Sequence, residues 1–295
     1  MSANAEILEL PAMQASGDAP SALKSILVYV QNDEGVAHRL ETALSIARAH
    51  SAHVTFLHVT PVEAYMALDS FGSIFVMKDV VEALEDAEKR IRSQIQDKML
   101  TEDVSWDFVT VTGNIVSQIV SHACLADLVI IGRDPHADFA MPSISLLGDL
   151  LERSRTPLFV VPDMRPVDPA GGALIAWDGS FEAANAVRSS IGLLAQAREV
   201  RVLKIEEDKP RAFPETRLLE YLSRHGIHAE LAVDPIGHLR DQQTVSGKML
   251  AYACAIDAAY IVMGGYSHSR AGEFLFGGVT RTMLGNGDVA LAISR

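Results

Sequence analysis

Long apolar runs are missing from this chain of 295 residues: none approaches the ~18 residues that a membrane-spanning helix needs. No basic segment followed by an apolar stretch opens it, and Glu6 and Glu9 sit near its start. A secretory leader is therefore not expected, and the chain reads as cytoplasmic. Aromatic residues make up only 6%, so the core must be built from Ala, Val, Leu and Ile, as in parallel sheets covered on both faces. The two cysteines, Cys124 and Cys254, each end an Ala-rich helical pattern just before an apolar strand. They read as small buried residues in a reducing compartment, and nothing near them has zinc-ligand spacing. Positive charge is also scarce: 25 Lys and Arg against 38 Asp and Glu leave a net charge of −13. Such a surface repels nucleic-acid backbones and anionic membranes. It does not exclude a small phosphorylated ligand, which backbone N–H groups can hold locally.

What the chain does have is alternation. Short apolar runs at 25–31, 54–59, 106–111, 128–131 and 158–161 read as strands. Helical spacing lies between them at 36–50, 81–99, 115–125 and 146–153. That order predicts an α/β fold of βα units around a parallel sheet with right-handed crossovers. Pro162, Pro166, Pro169, Gly171 and Gly172 then crowd into one stretch, the clearest linker signal in the sequence.

Beyond it the pattern restarts. Strands are expected at 173–177, 200–205, 229–233, 260–263 and 289–294, and helices at 182–194, 215–224, 247–256 and 279–284. The element order matches the first half, giving an internal repeat of roughly 135 residues. The expected organisation is a loose tail at 1–24, a first repeat at 25–163, a linker at 164–171 and a second repeat at 172–295. The first half carries an extra loop at 61–75, and the second a longer one at 235–246.

The stretch that bears on chemistry begins at the carboxyl end of the second half's fourth strand. It runs Met263-Gly264-Gly265-Tyr266-Ser267, and later Gly277-Gly278-Val279-Thr280 opens a helix. In doubly wound sheets ligands bind outside the carboxyl ends of strands, where strand order reverses. Glycines there allow close backbone approach, and a helix start offers free N–H groups with a positive dipole end. At the end of the first strand of this half stands Trp177-Asp178-Gly179-Ser180. That tetrapeptide also suits a plain turn and helix N-cap.

These residues resemble the universal stress protein family, whose ATP-binding members carry G-x2-G-x9-G-[ST] after the fourth strand. Gly264 and Gly277 fall on the first and third fixed positions with the spacing intact. Ser267 stands in place of the second glycine, and Gly278 in place of the Ser or Thr. The resemblance implies two doubly wound, five-stranded Rossmann-like repeats packed as a pseudo-dimer through their fifth strands, 158–161 and 289–294. It also implies that Asp178 contacts the base and ribose end of a nucleotide and that Ile205 lines the base. The implied nucleotide-binding set is Trp177, Asp178, Ile205, Met263, Gly264, Tyr266, Ser267, Gly277, Gly278, Val279 and Thr280. The implied ligand is ATP or another adenine nucleotide, with Mg²⁺ where it enters with the phosphates.

The first half carries the same pattern with the site eroded. Gln31 stands where Asp178 stands, Gly132 matches Gly264, Pro135 replaces the second glycine, and Ile144-Ser145 falls on the Gly-[ST] pair. Pro has no N–H to offer, and Ile has a Cβ that blocks close approach. Arg133 reads either as a phosphate contact or as a solvated side chain, and His268 and Arg270 as candidate phosphate contacts. The remaining signals are weaker. Ser246-Gly247-Lys248 lacks the first glycine of a P-loop, since Gln242 stands there. Gly285-Asn286-Gly287 reads as a turn, and His225 and His228 as surface residues. Ser267-His268-Ser269 is too compact for a hydrolase triad. Two functions follow. One is a stress-response regulator that holds an adenine nucleotide in its second repeat without fast catalysis, with slow hydrolysis left open, and passes the signal to a protein partner or a homodimer. The alternative is a ligand-free scaffold of the same fold.

Overall fold

The computed structural model describes residues 23–61, 66–68, 74–76, 78–133, 143–205, 213–234, 244–265, 278–285 and 288–295. The first half supplies β1 (Ser25–Tyr29), β2 (His53–Pro61), a small hairpin of β3 (Met66–Leu68) and β4 (Ile74–Val76), then β5 (Trp106–Gly113), β6 (Leu128–Gly132) and β7 (Leu158–Val161). The second supplies β8 (Gly172–Trp177), β9 (Glu199–Ile205), β10 (Ala229–Asp234), β11 (Ala258–Gly264) and β12 (Ala290–Ser294). Apart from the hairpin, all ten strands lie in one sheet, in the order β10-β9-β8-β11-β12-β7-β6-β1-β2-β5. Outward from its centre, each half places its fifth, fourth, first, second and third strand. Strand order therefore reverses between β1 and β6 in one half and between β8 and β11 in the other.

Pairing is parallel throughout this sheet except at its centre, where β7 and β12 run antiparallel with Val160 opposite Leu291 and Leu158 opposite Ile293. Phe159 and Tyr260 meet edge-on across this seam, ring centroids 5.7 Å apart. Both belong to the core on one face of the sheet. Covering that face are α1 (Val36–His50), α2 (Lys78–Met99), α5 (Phe181–Ser189), α6 (Ile191–Gln196) and α7 (Glu215–Arg224). The other face carries α3 (Ile115–Ala123), α4 (Ser143–Arg153), α8 (Val245–Ala255) and α9 (Gly278–Gly285). Each core runs across both halves, so the seam is dry on both sides, and α4 packs on α9 there.

Local sequence explains the elements. The α1 stripe Val36, Leu40, Ala43, Leu44 and Ala47 is buried at helical spacing. The Asn114 side chain caps α3 by accepting from Ser117 N. The linker is strapped down: Val167 N donates to Thr42 Oγ1 in α1, and Arg165 donates to the Asp288 carbonyl. Three expectations change. The helix expected at 182–194 breaks into α5 and α6 at Ser190. There Ser190 N is shared between the Ala186 and Val187 carbonyls, and Ser189 Oγ bonds back to Asn185 and Ala186. Such side-chain competition bends helices. The extra loop at 61–75 contains the β3–β4 hairpin. Both cysteines are exposed rather than buried, because Ala123 and Ala253 take the inward positions and the next residue turns outward.

Candidate functional site

Of the expected site residues that the structure describes, Trp177, Asp178, Met263 and Gly264 lie at the carboxyl ends of β8 and β11, Ile205 ends β9, and Gly278, Val279 and Thr280 open α9. Asp178 follows β8 and is exposed. Its Oδ1 accepts from Ser180 N at 3.0 Å and from Ser180 Oγ at 2.6 Å, while Ser180 Oγ caps α5 by accepting from Ala183 N at 3.1 Å. Gly179 sits at φ 70°, a backbone that favours glycine. The tetrapeptide thus builds a turn and an N-cap that hold one oxygen of the carboxylate in place.

Gly264 ends β11 directly beneath that cap. A Cβ there would come within 2.5 Å of Ala183 N and 2.6 Å of the Glu182 carbonyl carbon. Only glycine lets the strand end pass under the first turn of α5. Gly278 opens α9 and is exposed, with no described residue within 4 Å of where its Cβ would lie. Val279 is half-buried and Thr280 is 5% exposed. Met263 is buried in the core beneath α8 and α9, and Ile205 and Val279 pack on that core. Trp177 belongs to the opposite core and lines a groove between α5 and α7. Tyr266, Ser267 and Gly277 lie outside the described residues, as do Pro135, His268 and Arg270.

Arg133 neither faces a phosphate nor sits in solvent. It is 6% exposed and reaches across the seam to the carboxyl end of α9. Its Nη1 donates to the carbonyls of Met283 at 2.6 Å and Leu284 at 3.0 Å, and its Nη2 donates to the Val289 carbonyl. A cation at a helix carboxyl end satisfies orphan carbonyls and opposes the dipole. Burial pulls the guanidinium down to about 10, partly offset by the nearby carboxylates of Asp163 and Asp288.

The corresponding place in the first half is filled from within. A Cβ on Gly132 would collide with Arg39 Nη1, with Asp163 Oδ1 also close, at 3.6 Å. Arg39 projects from the first turns of α1, is 1% exposed, and pairs with Asp33 at 2.6 Å. Sequence reading missed this pair. Its signal was an arginine on the apolar stripe of α1, next to Leu40 and between Val36 and Ala43. Beside the pair, at the carboxyl ends of β1 and β2, lies a cleft of about 130 Å³ lined by Tyr29, Gln31, His58, Thr60, Leu84 and Ile115. His58 Nδ1 lies 3.0 Å from the Val30 carbonyl, and burial holds its imidazole below the usual value. Among the described residues no cluster of His, Cys, Asp and Glu could hold a metal ion, and no helix is long and apolar enough to cross a membrane.

Residues 22–162 match the model of the universal stress protein family. The first half of this chain belongs to that family. The matched span contains β1 through β7 with α1 to α4. Among solved structures, a universal stress protein from Archaeoglobus fulgidus DSM 4304 superposes with a TM-score of 0.70 at 14% identity, covering 92% of this chain and 96% of that one. A functionally unknown protein from Pseudomonas aeruginosa PAO1 superposes with a TM-score of 0.56 at 16% identity, covering 93% of each chain. At such identities the likeness is one of fold, and it extends over both halves. No curated protein matches the chain in sequence.

Proposed function

We propose that this chain is a cytoplasmic stress-response regulator that binds one adenine nucleotide, ATP or AMP, in its second half, which we read as a second universal stress protein repeat. The observation that carries the reading is a pair of exposed groups, one at the β8–β11 reversal and one at the start of the helix that follows β11 in sequence. One is the exposed carboxylate of Asp178; the other is the exposed start of α9 at Gly278, with no described residue within 4 Å of where a side chain would stand. Asp178 accepts from the base and ribose end, and Ile205 lines the base. The amides that begin α9 face the phosphates at the positive end of that helix. Mg²⁺ enters with the phosphates. Turnover is slow or absent, because no side chain among these residues is placed as a general base.

The first half supports the assignment to a single site. Its reversal point is occupied by the buried Arg39–Asp33 pair, and Gln31 replaces the carboxylate. One observation favours the rival reading of a ligand-free scaffold: Asp178 and Gly264 already serve the turn and cap of α5. Mass spectrometry of small molecules released from the purified, denatured chain separates the two. We expect an adenine nucleotide at up to one per chain. Its absence, together with no binding of labelled ATP or AMP in equilibrium dialysis, overturns the nucleotide reading.

A further inference from the structure

On the other side of the second half, a groove of about 210 Å³ runs between α5 and α7. Its walls are Trp177, Ala184, Val187, Phe213, Leu218 and Tyr221. Phe181, largely exposed, meets Phe213 edge-on with ring centroids 5.0 Å apart. Inside this apolar trough Trp177 is 5% exposed, and its indole N–H has no acceptor among the described residues. Buried donors are almost always paired, because an orphan forfeits its hydration without return.

Two exposed arginines, Arg188 and Arg217, also line the groove. Neither side chain has a hydrogen bond or ion pair among the described residues. Aromatic walls, one orphaned donor and two unpaired guanidiniums together form the recognition set for an anion with an apolar body. The volume lies below the about 300–1,000 Å³ of drug-sized pockets, which limits the ligand to about one ring.

We propose that this groove binds a small apolar carboxylate, a one-ring aromatic acid. The carboxylate accepts from Trp177 Nε1 and from Arg188 and Arg217, and the ring lies against Phe213 and Tyr221. The site is separate from the proposed nucleotide site, since Met263, Ile205 and Val279 pack on the opposite face of the sheet. The inference does not rest on nucleotide binding.

The test is a titration of the ¹⁵N-labelled full chain with phenylacetate, read at the indole N–H signals. The chain has only two tryptophans, so a Trp106→Phe variant assigns both signals. We expect the Trp177 signal to move saturably while that of Trp106 stays. Benzyl alcohol, which has the ring without the charge, should bind at least tenfold more weakly. So should phenylacetate to the Arg188→Gln, Arg217→Gln double variant, whose changes are on the surface and whose fold circular dichroism verifies. No saturable movement, equal binding of benzyl alcohol, or undiminished binding by the folded double variant overturns the proposal.

Discussion

Arg133 Nη1 donates to the main-chain carbonyl of Met283 at 2.6 Å, so a side chain of the first half closes the end of a helix in the second. The same guanidinium serves Leu284 and Val289. Truncating it leaves three carbonyls without this donor at a buried seam, each worth about 1–3 kcal/mol when orphaned. Relief from burying a charge offsets part of that. Arg133→Met should therefore destabilise the chain by about 2–4 kcal/mol in urea unfolding, with faster amide exchange concentrated in 278–285. Unchanged exchange in that segment would show that the cap does not hold α9. Lysine should rescue poorly, since one ammonium cannot copy the guanidinium fork.

The glycines make a graded set. Gly264→Ala puts a methyl group against backbone of α5 at 2.5 Å, and backbone yields less readily than a side chain. A loss of about 1–3 kcal/mol is expected. Gly278→Ala meets no described residue within 4 Å and should be neutral or raise stability by up to about 1 kcal/mol. Gly278→Ser restores the family's hydroxyl where no described residue stands in its way and should tighten ATP binding about three- to tenfold, with the fold unchanged by circular dichroism. Thermal melts and dialysis read both effects. Loss of stability in Gly278→Ala would contradict the open space described at α9.

The Arg39–Asp33 pair invites a double-mutant cycle. Arg39 is 1% exposed, and the Asp33 side chain is 10% exposed. Removing either partner alone strands a charge and should cost about 3–5 kcal/mol. The combined Arg39→Met, Asp33→Asn variant should recover at least half of the summed loss. Simple additivity of the two single losses in urea unfolding would mean that the pair is not coupled.

His58 sets a pH dependence whose sign follows from its surroundings. Burial lowers its pKa, partly countered by the Val30 carbonyl and Glu88, while Arg92 adds to the lowering. The unfolded chain therefore takes up a proton below about 6.5 that the folded chain still refuses. The neutral ring's contribution is fully present above that pH. It is lost as pH falls from there toward the folded value. Stability measured at about pH 7.5 and about pH 5.5 should fall less in His58→Gln than in the parent chain. An equal fall in both would remove His58 from the account.

Much of the fold is legible because it is local. The α1 limits follow from apolar spacing that starts at Val36 and ends at His50, and the α5 start follows from Ser180 as a cap. The strand runs at 128–131 and 158–161 are too short and too apolar to be exposed helices, and they lie at the centre of the sheet. What escapes is what distance creates. Arg133 finds its partners 150 and more residues away, so its surroundings cannot be read from its neighbours in sequence. Ser190 breaks a helix that the apolar pattern continues through, because the cause is side-chain hydrogen bonding and not periodicity. Trp177 sits one residue before Asp178, yet strand alternation sends it to the opposite face, into a groove that α7 completes. Gly264 is needed in the fold for the turn above it, a reason that its place in a phosphate-loop pattern does not reveal.

The central claim is one adenine-nucleotide site, in the second half. Equilibrium dialysis of the full chain with labelled ATP tests it most directly, run beside Asp178→Ala and Gln31→Ala with folding verified by circular dichroism. The account predicts one nucleotide per chain, at least tenfold weaker binding in Asp178→Ala, and no change in Gln31→Ala. No binding to the parent chain, or binding that Gln31→Ala abolishes and Asp178→Ala leaves intact, would contradict it.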